Sequence, residues 1–178
     1  MSKKKQDLLE HAEKLFYQNG FHAIGLKRIV HDAGVALMTL YNHFDSKEDL
    51  ILEVLKNREK RYFSHLNSMA ECRNTEGTVS VALLFAEAHI AWLSSSGTNG
   101  CMFLRAKEEY ALENEEIVNQ VIAHKKSFIS FLVKQGFSHA HSIQLAMLFE
   151  GATSLSEILD VNDIAIQFRS LIKDSFRE

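Results

Sequence analysis

The sequence predicts an all-α fold of about nine helices, and three observations support this prediction. Apolar residues recur at intervals of three and four along most of the chain, as they do on the buried face of a helix. No segment shows the alternation of apolar and polar residues that is typical of a strand. The chain contains no proline, and polar or glycine-containing runs separate the apolar-periodic segments. Each of these segments is therefore a predicted helix.

The first predicted helix covers about residues 5–19 and ends at Gly20. Its apolar stripe, which is expected to pack over the next two helices, consists of Leu8, Ala12, Leu15 and Phe16.

Residues 20–50 predict a helix-turn-helix. A short apolar stripe at Leu26, Ile29 and Val30 stops at Gly34, the residue type that ends a helix in a left-handed turn. A second short helix is predicted over residues 37–43. Its Leu40 and the following Phe44 face inward. The side chains expected to point outward, where they are free to enter a major groove, are Met38, Tyr41 and Asn42.

The same stretch resembles the DNA-binding domain of the TetR/AcrR family of bacterial repressors. It contains, in chain order, GF, IV, AGV, TLYNHF and SKEDL. A helix-turn-helix pattern alone is unspecific, but agreement across all five segments is specific. The resemblance covers roughly the first 65 residues. It implies a DNA-binding head on a helical body, and a homodimer on a near-palindromic DNA operator.

A long helix is predicted from residue 47 to about residue 69, with Ser46 and Asp49 forming a capping box at its start. One side carries apolar residues from Leu50 onward. The charged series that is predicted to keep its other side in water comprises Lys56, Arg58, Glu59, Lys60 and Arg61.

The remaining helices follow from periodicity and breaks. Two of them are predicted over residues 78–95 and within CMFLRAKEEYA, and a long one carries Ile117 to Leu132 and ends at Gly136. The last two cover residues 143–159, with 139–142 opening the helix, and residues 164–176. Small residues in the segment 143–159 allow another helix to approach closely. By resemblance, this helix and the last one form a two-fold, four-helix dimer interface.

Composition and charge bound the class of protein. The net charge of −3 argues against a generic nucleic-acid coat protein, and its distribution is uneven, with +2 over residues 1–65 and −5 over residues 66–178.

We predict a DNA-binding domain over residues 1–47 and a ligand-binding and dimerisation domain over residues 48–178. No signal peptide or membrane span is expected, so a cytoplasmic location without a membrane partner is predicted. Cys72 and Cys101 are interpreted as reduced thiols, with no metal site and no cofactor.

The resemblance assigns DNA contacts to individual residues. Lys47 matches a position that contacts a phosphate, where the helix dipole also favours an anion, although a plain surface lysine is the alternative. Tyr41 and His43 match positions that contact the DNA backbone, and His43 could equally pack beneath the head. Thr39 and Asn42 are candidates for contacts to sugar, phosphate or base edges. Lys27 matches a position that reaches the groove.

Two features depart from the family pattern. Relatives usually carry Ser or Thr before each short helix, whereas this chain has Gly25 and Ala36, which cannot cap through a side-chain oxygen. The tip of the second helix carries Leu37 and Met38, which cannot hydrogen-bond to base edges but can contact a thymine methyl group. Leu37 could instead turn inward into the core.

Aromatic residues of the body are candidates for an apolar ligand site, although aromatics at helical spacing are more often core. The candidates are Phe85, His89, Trp92, Phe103, Tyr110, Phe128 and Phe131, with Met102 and Phe149 also considered. His89 paired with Glu108 or Glu109 would give such a site a polar group, but a solvated glutamate pair is the simpler interpretation.

Three functions are compatible with these features. The favoured one is a repressor released from its operator by a small, largely apolar inducer. The second is a ligand-independent DNA-binding protein of the same fold, acting as an architectural or cell-division factor. The third is an enzyme, which is disfavoured because the sequence lacks HExxH, P-loop, GxSxG and C-x-x-C motifs. The sequence identifies neither the inducer nor the operator.

Overall fold

The structure, a computed structural model, describes residues 2–71 and 77–176. This part of the chain forms nine α-helices and no strand, so the all-α prediction is confirmed. The helices are α1 (Lys3–Asn19), α2 (Leu26–Asp32), α3 (Leu37–Tyr41), α4 (Lys47–Glu71), α5 (Thr78–Ser96), α6 (Met102–Glu109), α7 (Glu115–Lys134), α8 (His139–Leu155) and α9 (Val161–Ser175). Cys72, which was predicted to be a reduced thiol, lies outside the described residues.

Side-chain caps fix the starts of several helices. Ser2 accepts a hydrogen bond from the backbone N–H of Lys5 at α1, Ser138 accepts one from His141 at α8, and Asp160 accepts one from Asn162 at α9. Each cap satisfies a donor that the helix itself leaves unpaired.

Two helices end earlier than their apolar patterns predict. α3 ends at Tyr41 rather than His43, because the amides of His43 and Phe44 both bond to the Leu40 carbonyl and turn the chain toward α4. α8 ends at Leu155 rather than Leu159, where the Ser156 hydroxyl bonds back to the Thr153 carbonyl at 2.7 Å. The apolar pattern continues past both helix ends, so it does not reveal the hydrogen bonds that end these helices.

The chain forms two compact units. The first comprises the N-terminal residues up to Glu59 together with Met102–Ala123. Its core is built on the helix-turn-helix and α1, with Phe16 packing on Phe21 at a ring distance of 5.1 Å. Its fully buried side chains include Leu8, Leu9, Phe21, Ile29, Leu40, Leu50 and Ile51.

Arg58 in the first unit corrects the prediction that the charged series of α4 faces water. Arg58 is only 7% exposed. Its Nη1 donates to Glu13 Oε1 at 2.7 Å, and its guanidinium lies 4.5 Å from the Tyr17 ring centroid. Burial is tolerated because the charge has both an anionic partner and an aromatic face.

The second unit comprises Lys60–Cys101 and the chain from His124 onward. Helix α5 packs against α8 and α9. The large buried residues of the core of this unit are Leu66, Phe85, Phe128, Phe131, Leu132, Phe137, Leu145, Phe149, Phe168 and Phe176. The predicted functional boundary after residue 47 stays a prediction, and by packing α4 contributes residues to both units.

Helix α5 has the length and composition of a membrane span, although none was expected from the sequence. An 18-residue window of this helix has a mean hydropathy of 1.3. The apolar core helix of a folded domain has the same properties, and α5 supplies Phe85 and Ala88 to the core of the second unit. Its Glu87 also pairs with Arg169 of α9, with Nη2 2.8 Å from Oε2. We therefore interpret α5 as a core helix.

Candidate nucleic-acid interface and aromatic cluster

The two faces of α3 differ sharply. Leu40 is fully buried, whereas Met38 is 70% exposed and Tyr41 is 48% exposed. Asn42 is also exposed, Thr39 is half-buried, and Lys27 on the preceding helix α2 is exposed. The predicted orientation of Met38, Tyr41 and Asn42 is therefore the observed one, and an open row of side chains is available to a groove.

Leu37, for which the sequence allows both an outward and an inward orientation, is 36% exposed. It lies at the margin of the open face and is not fully buried. Neither α3 nor α2 has a side-chain cap at its start, where Ala36 and Gly25 stand in extended conformations. As expected from Gly25 and Ala36, no side-chain capping bond is seen at the start of α2 or α3.

His43 and Lys47 flank the open face and are both half-buried. His43 Nε2 lies 3.4 Å from Ser2 Oγ, the side chain that caps α1. Lys47 is the first residue of α4, and partial burial lowers its pKa, while the negative charges of Glu48 and Glu109 oppose this shift. Lys47 therefore combines a cationic group with a helix start, both of which favour an anion.

The start of α4 has the predicted capping pair in a shifted form. Ser46 Oγ accepts from the Asp49 amide at 3.0 Å, and Asp49 Oδ2 accepts from the amide of Asp45 at 3.2 Å. In the usual capping box the second bond returns to the cap residue itself, here Ser46. The pair still holds the turn between α3 and α4.

Arg28 is an exposed polar residue of α2 for which the sequence predicted no role. Its Nε donates to Asp32 Oδ2 at 2.8 Å, and the other carboxylate oxygen of Asp32 lies 2.9 Å from His31 Nδ1. Hydrogen bonds from His31 and Arg28 lower the pKa of Asp32. The spacing of four between Arg28 and Asp32 was the available signal.

Five of the seven aromatic ligand candidates lie in the second unit. These are Phe85, His89, Trp92, Phe128 and Phe131. Phe85 and Phe131 pack edge to face at 5.3 Å within the core. Tyr62 of α4, which the sequence analysis missed, packs against Trp92 at 5.2 Å and Phe128 at 6.1 Å. Tyr62 follows the charged series of α4 directly, but it lies seven residues after Leu55 and four before Leu66, and this helical spacing was the available signal.

His89 is held in one tautomer by a chain of hydrogen bonds. The Thr153 hydroxyl donates its single hydrogen to the Phe149 carbonyl at 2.9 Å, so its oxygen must accept from His89 Nε2, also at 2.9 Å. His89 Nδ1 then accepts from the Tyr62 hydroxyl at 2.9 Å. Burial lowers the pKa of His89 to about 3, so the ring is neutral at physiological pH. Burial likewise raises the pKa of Tyr62 well above its usual value.

These bonds correct the suggested partner of His89. Its two ring nitrogens bond to Tyr62 and Thr153, not to Glu108 or Glu109. Thr153 lies 64 residues from His89 along the chain, and no local pattern links the two.

Lys125 is a charged residue of the second unit. Lys125 Nζ donates to Cys101 Sγ at 3.2 Å and also pairs with Glu150. Burial alone would lower the pKa of Lys125, but Cys101 and Glu150 raise it above its usual value. Cys101 is not in a disulfide.

Phe103 and Tyr110, the other two candidates, lie in the first unit and not in the aromatic cluster of the second. Tyr110 is fully buried, packs edge to face on Phe21 at 6.3 Å and stacks on His22 at 4.7 Å. Burial raises the pKa of Tyr110 to about 12. These contacts join α6 and its C-terminal turn to the loop that opens the helix-turn-helix.

Comparisons with known proteins agree with this geometry. Residues 8–54 match the family model described as bacterial regulatory proteins, tetR family. The chain is 27% identical over 111 residues to the HTH-type transcriptional repressor ComR of Escherichia coli (strain K12), which is 62% of this chain and 53% of ComR. The match thus spans about half the length of that relative.

Solved structures resemble the chain over nearly its whole length. The TetR-family transcriptional regulator SCO4454 from Streptomyces coelicolor has a TM-score of 0.88 and 26% identity, covering 98% of this chain and 94% of that protein. The transcriptional regulator FadR from Bacillus subtilis, solved in complex with stearoyl-CoA, has a TM-score of 0.74 and 15% identity, covering 94% and 96%. The second likeness shows the fold alone. The helix-turn-helix therefore matches the tetR family model, and the all-helical fold matches that of TetR-family transcriptional regulators.

Proposed function

We propose that the protein is a cytoplasmic, homodimeric repressor that binds a near-palindromic DNA operator and is released from it by a small, largely apolar ligand. The open face of α3 is the single observation that carries the DNA-binding part. Its exposed Met38, Tyr41 and Asn42 stand opposite a fully buried Leu40, which is the arrangement that a recognition helix requires.

The residues of this face divide into positioning and reading contacts. Lys47, Tyr41 and His43 carry donors suited to phosphate oxygens, and such contacts fix the register of the protein on the duplex. Asn42, Thr39 and Lys27 are placed for sugar, phosphate or base edges. Met38 and the partly exposed Leu37 suit thymine methyl groups, so we expect a preference for A·T pairs under the tip of α3.

Exposed apolar residues support the dimer. Side chains on α8, on α9 and in the turn between them are exposed in a single chain, namely Ile143, Met147, Leu155, Ile158, Leu159, Ile166 and Leu171. Exposed apolar surface on this scale is costly unless a partner covers it. A second copy of the same two helices would form the two-fold, four-helix interface.

The ligand part rests on the aromatic cluster of the second unit. Trp92 and Tyr62 are its partly buried members, and Phe85, Phe128 and Phe131 lie deeper. We infer that an apolar molecule binds beside Trp92, with His89 as its neutral polar neighbour. The description of ComR as a repressor and the stearoyl-CoA in FadR support this proposal by analogy.

The experiment begins with operator selection. Random duplexes are selected on the purified protein, and the recovered sequence is tested by gel shift against a scrambled duplex of the same length. We expect a near-palindrome bound at least about 10³-fold more tightly than the scrambled duplex. Equal binding of both duplexes would contradict a sequence-specific regulator.

The alternative, a ligand-independent DNA-binding protein of the same fold, is separated by a second step. A library of apolar small molecules is screened for release of the selected operator. Release by one chemical series, together with protection of the free protein against thermal unfolding, supports the repressor. Operator binding that no member of the library alters favours the alternative.

A further inference from the structure

The loop between α1 and α2 is held by one carboxylate from α6. Glu109 Oε1 accepts the Phe21 amide at 3.0 Å, and Oε2 accepts the His22 amide at 2.6 Å. Both amides lie just beyond the end of α1, where no helical carbonyl is available to them. A carboxylate that accepts two adjacent backbone N–H groups forms charge-assisted bonds, which are stronger than neutral ones.

The ring of His22 strengthens the same contact. His22 Nε2 lies 2.8 Å from the Glu109 carbonyl oxygen, so that nitrogen must carry the hydrogen. The ring stacks on Tyr110 at 4.7 Å, and Glu113 Oε2 lies 3.6 Å from Nε2. Three residues of α6 and its C-terminal turn, Glu109, Tyr110 and Glu113, thus contact His22.

Gly20 leaves room for this carboxylate. It has a φ of +84°, and a Cβ at this position would lie 2.9 Å from Glu109 Oε1. The glycine therefore serves both the left-handed end of α1 and the close approach of Glu109.

A second bond connects α6 to the end of α1. Arg105 Nη1 donates to the Tyr17 carbonyl at 2.8 Å. Phe21, between these two bonds, is fully buried and packs on Phe16 and Tyr110. The loop that opens the helix-turn-helix is therefore held by α6 in addition to its local backbone bonds, from Gly20 N–H to the Phe16 carbonyl at 2.9 Å and from Ile24 N–H to the Phe21 carbonyl at 3.4 Å.

We propose that Glu109 is a positioning residue for DNA recognition, which sets the helix-turn-helix in register with α6 by holding the amides of Phe21 and His22. Helix α6 begins at Met102, directly after Cys101, where the chain leaves the second unit. Within the first unit, α6 is thus bonded directly to the loop that opens the helix-turn-helix. The inference rests on the proposed DNA-binding function.

The test compares Glu109→Gln with Glu108→Gln. Both substitutions remove one negative charge, but Glu108 is exposed and lies one residue away. Loss of a negative charge by itself strengthens binding to a polyanion. Glutamine at 109 has only one acceptor oxygen and places an NH₂ group against the second amide. We therefore expect a loss of affinity in Glu109→Gln, opposite in direction to the general charge effect.

Two quantities are measured on the full-length protein. The first is the ratio of affinities for the selected operator and for a scrambled duplex, which we expect to fall about tenfold in Glu109→Gln and to stay unchanged in Glu108→Gln. The second is hydrogen exchange of the Phe21 and His22 amides, which should be faster only in Glu109→Gln. A merely structural defect would lower both affinities through the fraction of folded protein and would leave their ratio constant.

The outcomes are distinct. An unchanged ratio in a variant whose two amides exchange faster would overturn the positioning role, and so would unchanged exchange of these amides. If Glu109→Gln does not fold, Glu109→Asp takes its place, because it keeps the charge but shortens the side chain away from the amides of Phe21 and His22, and the ratio should fall about threefold. An unchanged ratio in that variant would also overturn the proposal. Failure of the wild-type protein to prefer any duplex would instead contradict the proposed function.

Discussion

Single residues of α3 divide its surface between a buried face and an open face that is proposed to meet DNA. Leu40 is buried completely, and Met38 and Tyr41 on the other side are open. Because adjacent residues on a short helix point in different directions, one substitution can change DNA binding with little effect on the fold. Lys47, at the start of α4, is proposed to contribute to DNA binding through its charge.

The first prediction concerns Lys47 and Tyr41. We expect Lys47→Ala and Tyr41→Phe to weaken binding to operator and scrambled duplexes by the same factor, because phosphate contacts position the protein and carry no sequence information. The dependence of log affinity on log salt should become shallower by about 1 per protomer for Lys47→Ala. Gel shifts over a salt series measure both. A change in the preferred operator sequence would show that Lys47 reads a base.

The second prediction concerns His89 and pH. Its folded pKa is lowered to about 3, because burial opposes the charged ring and the positive Lys125 adds to this effect. The unfolded chain therefore binds a proton below about pH 6.5 that the folded chain does not, so stability falls as pH falls from about 6.5 toward 3. The contribution approaches about 1.4 kcal/mol per pH unit within this window. His89→Gln should show a shallower decline than the wild type in urea unfolding, and equal slopes would contradict the neutral buried ring.

At the scale of elements, α2 and α3 are short and lack side-chain caps, whereas α1, α8 and α9 have them. The two short helices therefore depend on tertiary contacts, since isolated helices of this length are not stable.

The third prediction follows from the missing cap. Ala36 has an extended backbone with ψ of 149°, so Ala36→Ser can adopt the capping geometry without strain. We expect a gain of about 1 kcal/mol and a rise in Tm of about 2–4 °C. Gly34→Ala should have the opposite effect, with a loss of about 1 kcal/mol, because Gly34 has a φ of +64°. Calorimetry of the two variants measures both changes in stability. A lower Tm in Ala36→Ser would show that a serine at this position does not cap α3.

At the scale of the whole molecule, the fourth prediction is dimerisation through α8 and α9. Met147 is 68% exposed in the single chain, and Ile166 is exposed as well. Met147→Glu and Ile166→Glu should each give a monomer at micromolar concentration, because a two-fold interface places the introduced charge in both copies. Leu112→Glu is the matched control, since Leu112 is fully exposed outside these helices. Sedimentation measures the state, and a wild-type monomer that still binds its operator would contradict the dimer.

The fifth prediction concerns release from the operator. Helix α4 runs through 25 residues, or about 38 Å, from Lys47 to beyond Tyr62, so it connects the proposed DNA contact to the aromatic cluster. A ligand acts only through its different affinity for the DNA-competent and the released dimers, and a 100-fold preference corresponds to about 2.7 kcal/mol per site. Trp92→Ala should keep operator affinity and weaken release by any molecule that releases the wild type. Normal release would remove Trp92 from the proposed site.

How much the sequence determined depends on the distance over which its signals act. Apolar periodicity, glycine breaks and capping residues act within a few positions, so they predicted nine helices, the turn at Gly34 and the open face of α3. The same local signals overestimated α3 and α8, because hydrogen bonds at Leu40 and Ser156 end these helices before the apolar pattern stops.

The tertiary structure alone decided which distant residues meet. Arg58 pairs with Glu13 across 45 positions, His89 with Thr153 across 64, and Glu109 with Phe21 across 88. Each of these polar groups would be costly to bury alone, and each finds its partner only when helices from different parts of the chain pack together. A sequence pattern that repeats every three or four residues carries no information about that choice. For this reason the outward face of α3 could be predicted from the sequence, whereas the carboxylate proposed to position the helix-turn-helix could not.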